Sequence, residues 1–195
     1  MYKNSVLEMA FSQFPVLKLD NQIILRELDS EKDMHGYYNL MCDPAVHQYI
    51  QETEVPTSLD DAHEKVKFWR NLFYKKISIL WCIEKEGKMV GTMGFNYCNI
   101  MSGNAEIVYD LASSEWGKGI ASVSMRAILD FSFHSLQLTQ IEALIAIDNL
   151  RSERLLTRFN FILHKMQKMH RVIRGEYVDT KTYILSKNNY LASVI

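Results

Sequence analysis

The hexapeptide Trp116-Gly117-Lys118-Gly119-Ile120-Ala121 constrains this chain more than any other stretch. The run Ala105 to Leu111 before it reads as a strand, and the amphipathic stretch from about Gly119 to Ser135 reads as a helix. A glycine-rich turn between a strand and a helix leaves several backbone N–H groups unpaired at the positive end of the helix dipole. Such a turn binds phosphate. Two glycines and an alanine keep side chains out of the path of a pyrophosphate. The turn is not a Walker A loop, because Gly-x-x-x-x-Gly-Lys-Ser/Thr is absent. It is not a dinucleotide fingerprint either, because no Gly-x-Gly-x-x-Gly occurs and the turn follows residue 110 rather than opening a βαβ unit. The residues predict a mid-chain loop that cradles a phosphate-bearing cofactor, on the fourth or fifth strand of an α/β sheet.

Ile23–Leu28 reads as a strand, with Val16–Leu19 a short one before it. Asp29 or Ser30 caps a helix over about Glu31–Met41. Ser58-x-x-Asp61 resembles a capping box, and it opens a helix with Leu59, Ala62, Val66, Trp69 and Phe73 on one face. Ile79–Glu84 and Met89–Tyr97 flank Lys85-Glu86-Gly87-Lys88, a hairpin signal. In the helix after the glycine loop, Ile120, Val123, Ala127, Ile128 and Phe131 form the predicted buried stripe. Ile141–Ile147 is an apolar strand and Arg151–Phe159 a helix, and Phe161–Met169 and Thr180–Leu185 close the sheet. By pattern alone the order is α/β or α+β.

With 195 residues, one domain is expected, and only three prolines and eight glycines leave little for linkers. The net charge of −1 gives no basic footprint for nucleic acid. Cys42, Cys82 and Cys98 are odd in number and lack Cys-x-x-Cys spacing, which argues against a disulfide framework and a structural zinc. Six scattered histidines form no metal-binding pair, so no metal is expected. His164-Lys165-x-x-Lys168-x-His170-Arg171 reads as the solvated side of a strand and loop. No apolar run approaches the ~20 residues of a membrane helix. Met1 to Phe14 reads poorly as a signal peptide. A cytoplasmic protein without membrane association is expected.

Beyond the loop, Asp148-Asn149-Leu150-Arg151-Ser152-Glu153-Arg154-Leu155-Leu156-Thr157-Arg158-Phe159-Asn160-Phe161 follows the apolar strand. Together these motifs resemble the GNAT acetyltransferases, in particular the subgroup like the RimJ/RimL ribosomal-protein N-acetyltransferases. That subgroup carries Trp-Gly-x-Gly-x-Ala at its pyrophosphate loop and Asn-x-x-Ser-x-x-Leu/Val-Leu-x-x-x-Gly-Phe on the next helix. Asn149, Ser152 and Phe161 match, and Asn160 stands where the family has Gly. The opening strand from Asn21, the turn at Asp43-Pro44 and the closing segments at Gly175–Asp179 and Tyr183–Leu185 match as well. The resemblance spans about residues 20–187. It implies a GNAT fold: a mixed, mostly antiparallel central sheet with flanking helices and the pyrophosphate loop after the fourth core strand.

The resemblance also implies roles. Leu111, Trp116, Gly117, Lys118, Gly119, Ile120, Ala121, Asn149, Ser152 and Arg154 are expected to bind acetyl-CoA. Glu106 matches the acidic residue of the family's Ala-Glu-Ile-Gly-Tyr strand and is the expected base; its alternative is a solvent-facing carboxylate. Tyr109 of the same motif is expected to line the acceptor pocket, or simply to pack. Ser152 is the expected partner of the departing thiolate, or else a helix-start serine. Asn149 is expected to hold the pantetheine, and it also suits a helix cap. Leu156 occupies the position where many GNAT enzymes carry a tyrosine. Val108 replaces the family's Gly beside Glu106 and puts the acceptor in question.

An amine must be neutral to attack a thioester. An α-amino group has a pKa of ~7.7–8.0 and a lysine ~10.4, a gap worth roughly 3.5 kcal/mol. An N-terminal amine therefore needs only a modest base. Three readings follow: an acetyltransferase for protein N-termini such as those of ribosomal proteins, one for a small amine (polyamine, amino acid or antibiotic), and a non-catalytic CoA-binding module. The joint presence of Glu106, Asn149 and Ser152 speaks against the third. A monomer or homodimer is expected, and the acceptor is set by segments such as Asn99–Asn104 and Arg171–Asp179.

Overall fold

A computed structural model describes residues 2–19 and 22–193; Asn21, at the start of the expected opening strand, lies outside them. Helix α1 (Tyr2–Ala10) leads into β1 (Leu17–Lys18) and β2 (Ile23–Glu27). Helix α2 (Ser30–Met41) is capped by Asp29, whose carboxylate accepts the N–H groups of Glu31 and Lys32. The guanidinium of Arg26 grips Asp33 through both terminal nitrogens at 2.6 and 2.8 Å and Glu84 through Nε at 2.7 Å. With Asp33 buried, this bidentate pair fixes α2 on the sheet.

Helix α3 (Pro44–His47) is a single turn started by Asp43, and α4 (Leu59–Tyr74) starts at Ser58. Ser58 Oγ accepts the Asp61 N–H at 3.1 Å, and the Asp61 carboxylate accepts the Thr57 N–H at 2.9 Å. Strands β3 (Leu80–Lys85) and β4 (Lys88–Asn99) form the expected hairpin. Its two turn residues, Glu86 and Gly87, both take left-handed φ, 51° and 77°, as a twist-matched two-residue turn requires.

Strand β5 (Asn104–Leu111) feeds the glycine loop, and α5 (Ile120–Asp130) follows it. The helix differs from expectation in two ways. Its buried face is Ile120, Ser124, Met125, Ile128 and Leu129, while Val123 lies 37% exposed. The expected last turn, Phe131–Ser135, winds as a π turn in which the Leu136 N–H reaches Phe131 O at 3.1 Å.

Strand β6 (Gln140–Ala146), helix α6 (Leu150–Arg158), strands β7 (Ile162–Ile173) and β8 (Glu176–Ser186) and helix α7 (Lys187–Ser193) complete the order. The segment Arg171–Asp179, expected as a loop, is the tip of a long β7–β8 hairpin turning at Arg174-Gly175, with φ 54° and 74°. Its polar run hid the strand pattern, because β7 is an edge strand largely exposed on both faces. The bulge between Gln167 and Arg171 also breaks the alternation. Helices α1, α3 and α7 were not expected.

The eight strands form one sheet in the order β1-β2-β3-β4-β5-β6-β8-β7. Helices α2, α3 and α4 cover one face through Leu28, Tyr37, Leu40, Val46, Ala62 and Val66. The other face is packed by α5 and α6, with Met125, Ile128, Phe133 and Leu156 meeting Trp81, Phe95, Ile107 and Ile141. Cys82 and Cys98 are buried within these layers, and burial pushes both thiols up to about 12. Strands β5 and β6 run parallel, whereas the other neighbouring pairs are antiparallel. They pair only over Asn104–Gln140, Ala105–Ile141 and Glu106–Glu142. Beyond Glu106 they part, and the sheet opens into a fork.

Candidate active site

The fork opens into a cavity of about 460 Å³ that runs between the sheet, the glycine loop, α6 and α3. On its loop side, Gly117 and Gly119 hold left-handed φ of 76° and 80°. A Cβ built on either glycine meets no atom within 4 Å, so glycine serves the backbone conformation and leaves open space in front of it. Gly119 starts α5 with no side-chain cap, and the N–H groups of Gly119, Ile120 and Ala121 meet no acceptor among the described residues. N–H groups so placed at a helix start form an anion cradle.

The cradle is braced from three sides. Trp116 Nε1 donates to Leu111 O at 2.8 Å, folding the indole back on the end of β5. The Arg151 guanidinium stacks 3.5 Å above the Trp116 ring and ties the loop to α6. Lys85 and Lys118 both pair with Glu115, at 2.9 and 3.1 Å.

Helix α6 forms the second wall. Asn149 caps it, its side-chain oxygen accepting the Ser152 N–H at 3.1 Å. This leaves the Asn149 amide nitrogen for the cavity. Ser152 is 7% exposed, and its hydroxyl pairs with the hydroxyl of Tyr109 from β5. Burial pushes the Tyr109 phenol up, so it stays protonated as a donor. Glu153 accepts Lys181 at 2.9 Å and Tyr183, which locks α6 to β8 beside Ser152. Arg151, Arg154 and Arg158 present one cationic edge of the helix to the cavity.

The third wall starts at the Asp43-Pro44 turn, a motif the sequence showed without placing it at the site. Ala45, Val46 and Tyr49 line the cavity from α3 and the residues after it. Asp43 pins this element to the chain just before the loop, accepting the Ser113 N–H at 3.2 Å. The Ser113 hydroxyl above all, with the N–H groups of Ala45 and Ser113, holds the Asp43 carboxyl below the usual carboxylate range.

The cavity brings together Tyr109, Leu111, Trp116, Gly117, Gly119, Ile120, Ala121, Asn149, Ser152 and Arg154 of the residues expected from sequence. Lys118 does not line it and turns to Glu115 instead. Glu106 does not line it either. Its carboxylate accepts from Asn96 Nδ2 at 3.4 Å, where β5 and β6 part. The carboxylate from β5 that does face the cavity is Asp110. Burial, with a smaller push from Glu54, raises the Asp110 pKa from 3.8 to about 7.

The sequence model described as "Acetyltransferase (GNAT) domain" matches residues 22–162. An uncharacterized N-acetyltransferase, p20, of Bacillus licheniformis is 29% identical over 173 residues, 87% of this chain and 95% of its own. The ribosomal-protein-serine acetyltransferase of Escherichia coli K12 is 25% identical, over 79% of this chain and 87% of its own. The spermidine N(1)-acetyltransferase of Vibrio cholerae is 24% identical, over 89% and 98%. Among solved structures, RimL, the ribosomal L7/L12 alpha-N-protein acetyltransferase in complex with coenzyme A, superposes with a TM-score of 0.81 at 21% identity, covering 88% of this chain and 98% of that one.

Proposed function

The chain belongs to the GNAT acetyltransferase family, and from that premise we propose that it carries the acetyl group of acetyl-CoA to the N-terminal α-amino group of a protein. Acetyl transfer is the reaction of the family. The choice of acceptor rests on one observation: the cavity is lined by no histidine and no lysine among the described residues, and its carboxylates are Glu115, held by two lysines, and Asp110. This is a site whose carboxylate Asp110, unpaired among the described residues, can take the proton of an amine but which has no imidazole beside it. About a seventh of a free α-amine is already neutral at pH 7, but well under a thousandth of a lysine or polyamine amine. An α-amine asks only what this cavity offers.

In this reading the pyrophosphate of acetyl-CoA lies on the Gly117–Ala121 backbone, and Arg154 adds charge at the mouth. The Asn149 amide holds the pantetheine arm. The amine lone pair attacks the thioester carbonyl, the C–N bond forms, and the C–S bond breaks with its pair on sulfur. Ser152 donates its hydroxyl proton to that sulfur as it takes one from Tyr109, whose hydroxyl it already meets, and Tyr109 recovers its proton from water in the cavity. Glu106, expected as the base, stands outside the lining, so a role for it runs through water. The protein works as one acetyltransferase domain in the cytoplasm, as a monomer or homodimer.

A second reading, a small free amine such as a polyamine, draws on the spermidine-acetylating relative. Thiol release from acetyl-CoA, followed across a panel of peptides with free N-termini and a panel of polyamines, amino acids and aminoglycosides, separates the two. Turnover confined to the peptides supports the first reading. Turnover confined to the small amines overturns it.

A further inference from the structure

The amine's proton has a nearer acceptor than the one the motif suggests. Strand β5 is regular from Asn104 to Leu111, so its side chains alternate between faces. Ile107, Tyr109 and Leu111 turn to the face covered by α5 and α6, where Tyr109 meets Ser152. Glu106, Val108 and Asp110 turn to the other face, where Val108 packs into the cluster built by α2, α3 and α4. The fork between β5 and β6 lets one cavity reach both faces. It is lined by Tyr109 and Asp110, adjacent residues that face opposite ways. Of the lining residues, Ile120, Ala121 and Leu155 pack on the Tyr109 side, and Val46 and Trp116 pack on the Asp110 side.

Resting on the amine-acetylation reading, we propose that Asp110 is the catalytic base, taking the proton of the attacking amine directly, and that Glu106 is not. Glu106 sits four residues back along the strand, about 13 Å away, and its carboxylate is engaged by Asn96. Asp110 lines the cavity, and among the described residues no hydrogen-bond donor and no ion-pair partner meets its carboxylate. The charged and titratable groups around it are Glu54 from the segment after α3, Tyr37 from α2 and its own neighbour Tyr109. The cavity's arginines, Arg151, Arg154 and Arg158, stand on α6 and none pairs with it. Burial, with a smaller push from Glu54, raises the carboxyl to about 7, in the range where a general base works best. As the amine attacks, the N–H bond breaks to nitrogen's benefit, its proton passes to an Asp110 oxygen, and the carboxylic acid then loses that proton to water.

The test uses the full chain with acetyl-CoA and whichever free-amine peptide or small amine of the panel it acetylates. Asp110→Asn keeps size and is expected to lower kcat/KM by ~10²–10⁴ and to leave only the rise set by the amine itself, at ~7.7–8.0, while acetyl-CoA binding by calorimetry is unchanged. Glu106→Gln is expected to keep the rise of rate through about pH 7. If Asp110→Asn retains both rate and pH profile, the proposal is wrong although the amine-acetylation reading stands. If the parent acetylates nothing, that reading fails on its own, and the carboxyl is then judged by carbon-13 NMR titration of the free protein. A carboxyl at position 110 titrating below pH ~5 overturns the proposal without reference to any acceptor, and one titrating near 7 supports it.

Discussion

Ser152 and Tyr109 share a hydroxyl–hydroxyl contact across the fork, which makes their substitutions informative as a pair. A thiol of pKa ~8.5 is a fair leaving group at neutral pH, so the help required is small. Ser152→Ala and Tyr109→Phe are therefore each expected to lower kcat by less than ~10²-fold, at the low end of acid–base effects. Their double variant should cost little more than the worse single one, because both break the same relay. Multiplying losses in steady-state kinetics would mean that the two hydroxyls act separately. At the loop, Gly119→Asp sets a carboxylate where the structure has open space. Calorimetry with CoA should show binding weaker by tenfold or more, about 1.4 kcal/mol. Gly119→Ala bears the strain of φ 80° without the charge, and its smaller loss separates the two causes. Equal affinity for CoA in the aspartate variant and the parent would remove the pyrophosphate from this loop.

Among elements, α6 ends on the residue that departs from the family pattern. Asn160, in place of the family's glycine, takes φ 60°. The Asn160 N–H reaches Thr157 O at 3.0 Å and the Phe161 N–H reaches Leu156 O at 3.1 Å. This is a Schellman ending, sealed by buried Phe161 against buried Leu156. Asn160→Ala is expected to destabilise by about 1–2 kcal/mol in urea denaturation, while Asn160→Gly should not. Equal stability of all three would deny the strain. This helix end, the Glu86-Gly87 hairpin and the glycine loop were legible because each is fixed by a few contiguous residues with unusual φ. What stayed hidden depends on elements far apart in sequence. Asp110 has the same strand parity as Glu106, and nothing local says that β5 and β6 part after Glu106. Arg151 looks like one more surface cation until α6 carries it over Trp116. The α3 wall depends on Asp43 reaching Ser113, 70 residues away.

At the scale of the whole molecule, the fork sets the chemistry at a cost in stability. Burial raises the Asp110 pKa from 3.8 to about 7, so the folded state holds the proton more tightly than the unfolded one. The stabilisation from this carboxyl is complete below about pH 4 and is lost as pH rises to about 7. Asp110→Asn removes the titration. Its Tm advantage over the parent should be small near pH 4, grow to about pH 7 and level off above, as read by calorimetry. A difference that does not change with pH would mean that Asp110 is solvated like a surface carboxylate. The central claim, that the fork serves an α-amine, is met most directly by one competition: acetyl-CoA, a peptide carrying both a free N-terminus and an internal lysine, and an equal concentration of spermidine. Tandem mass spectrometry then locates the product. Acetyl on the peptide's α-nitrogen, with lysine and spermidine unmodified, is the predicted result; acetyl on spermidine or on the lysine side chain with a bare N-terminus would contradict it.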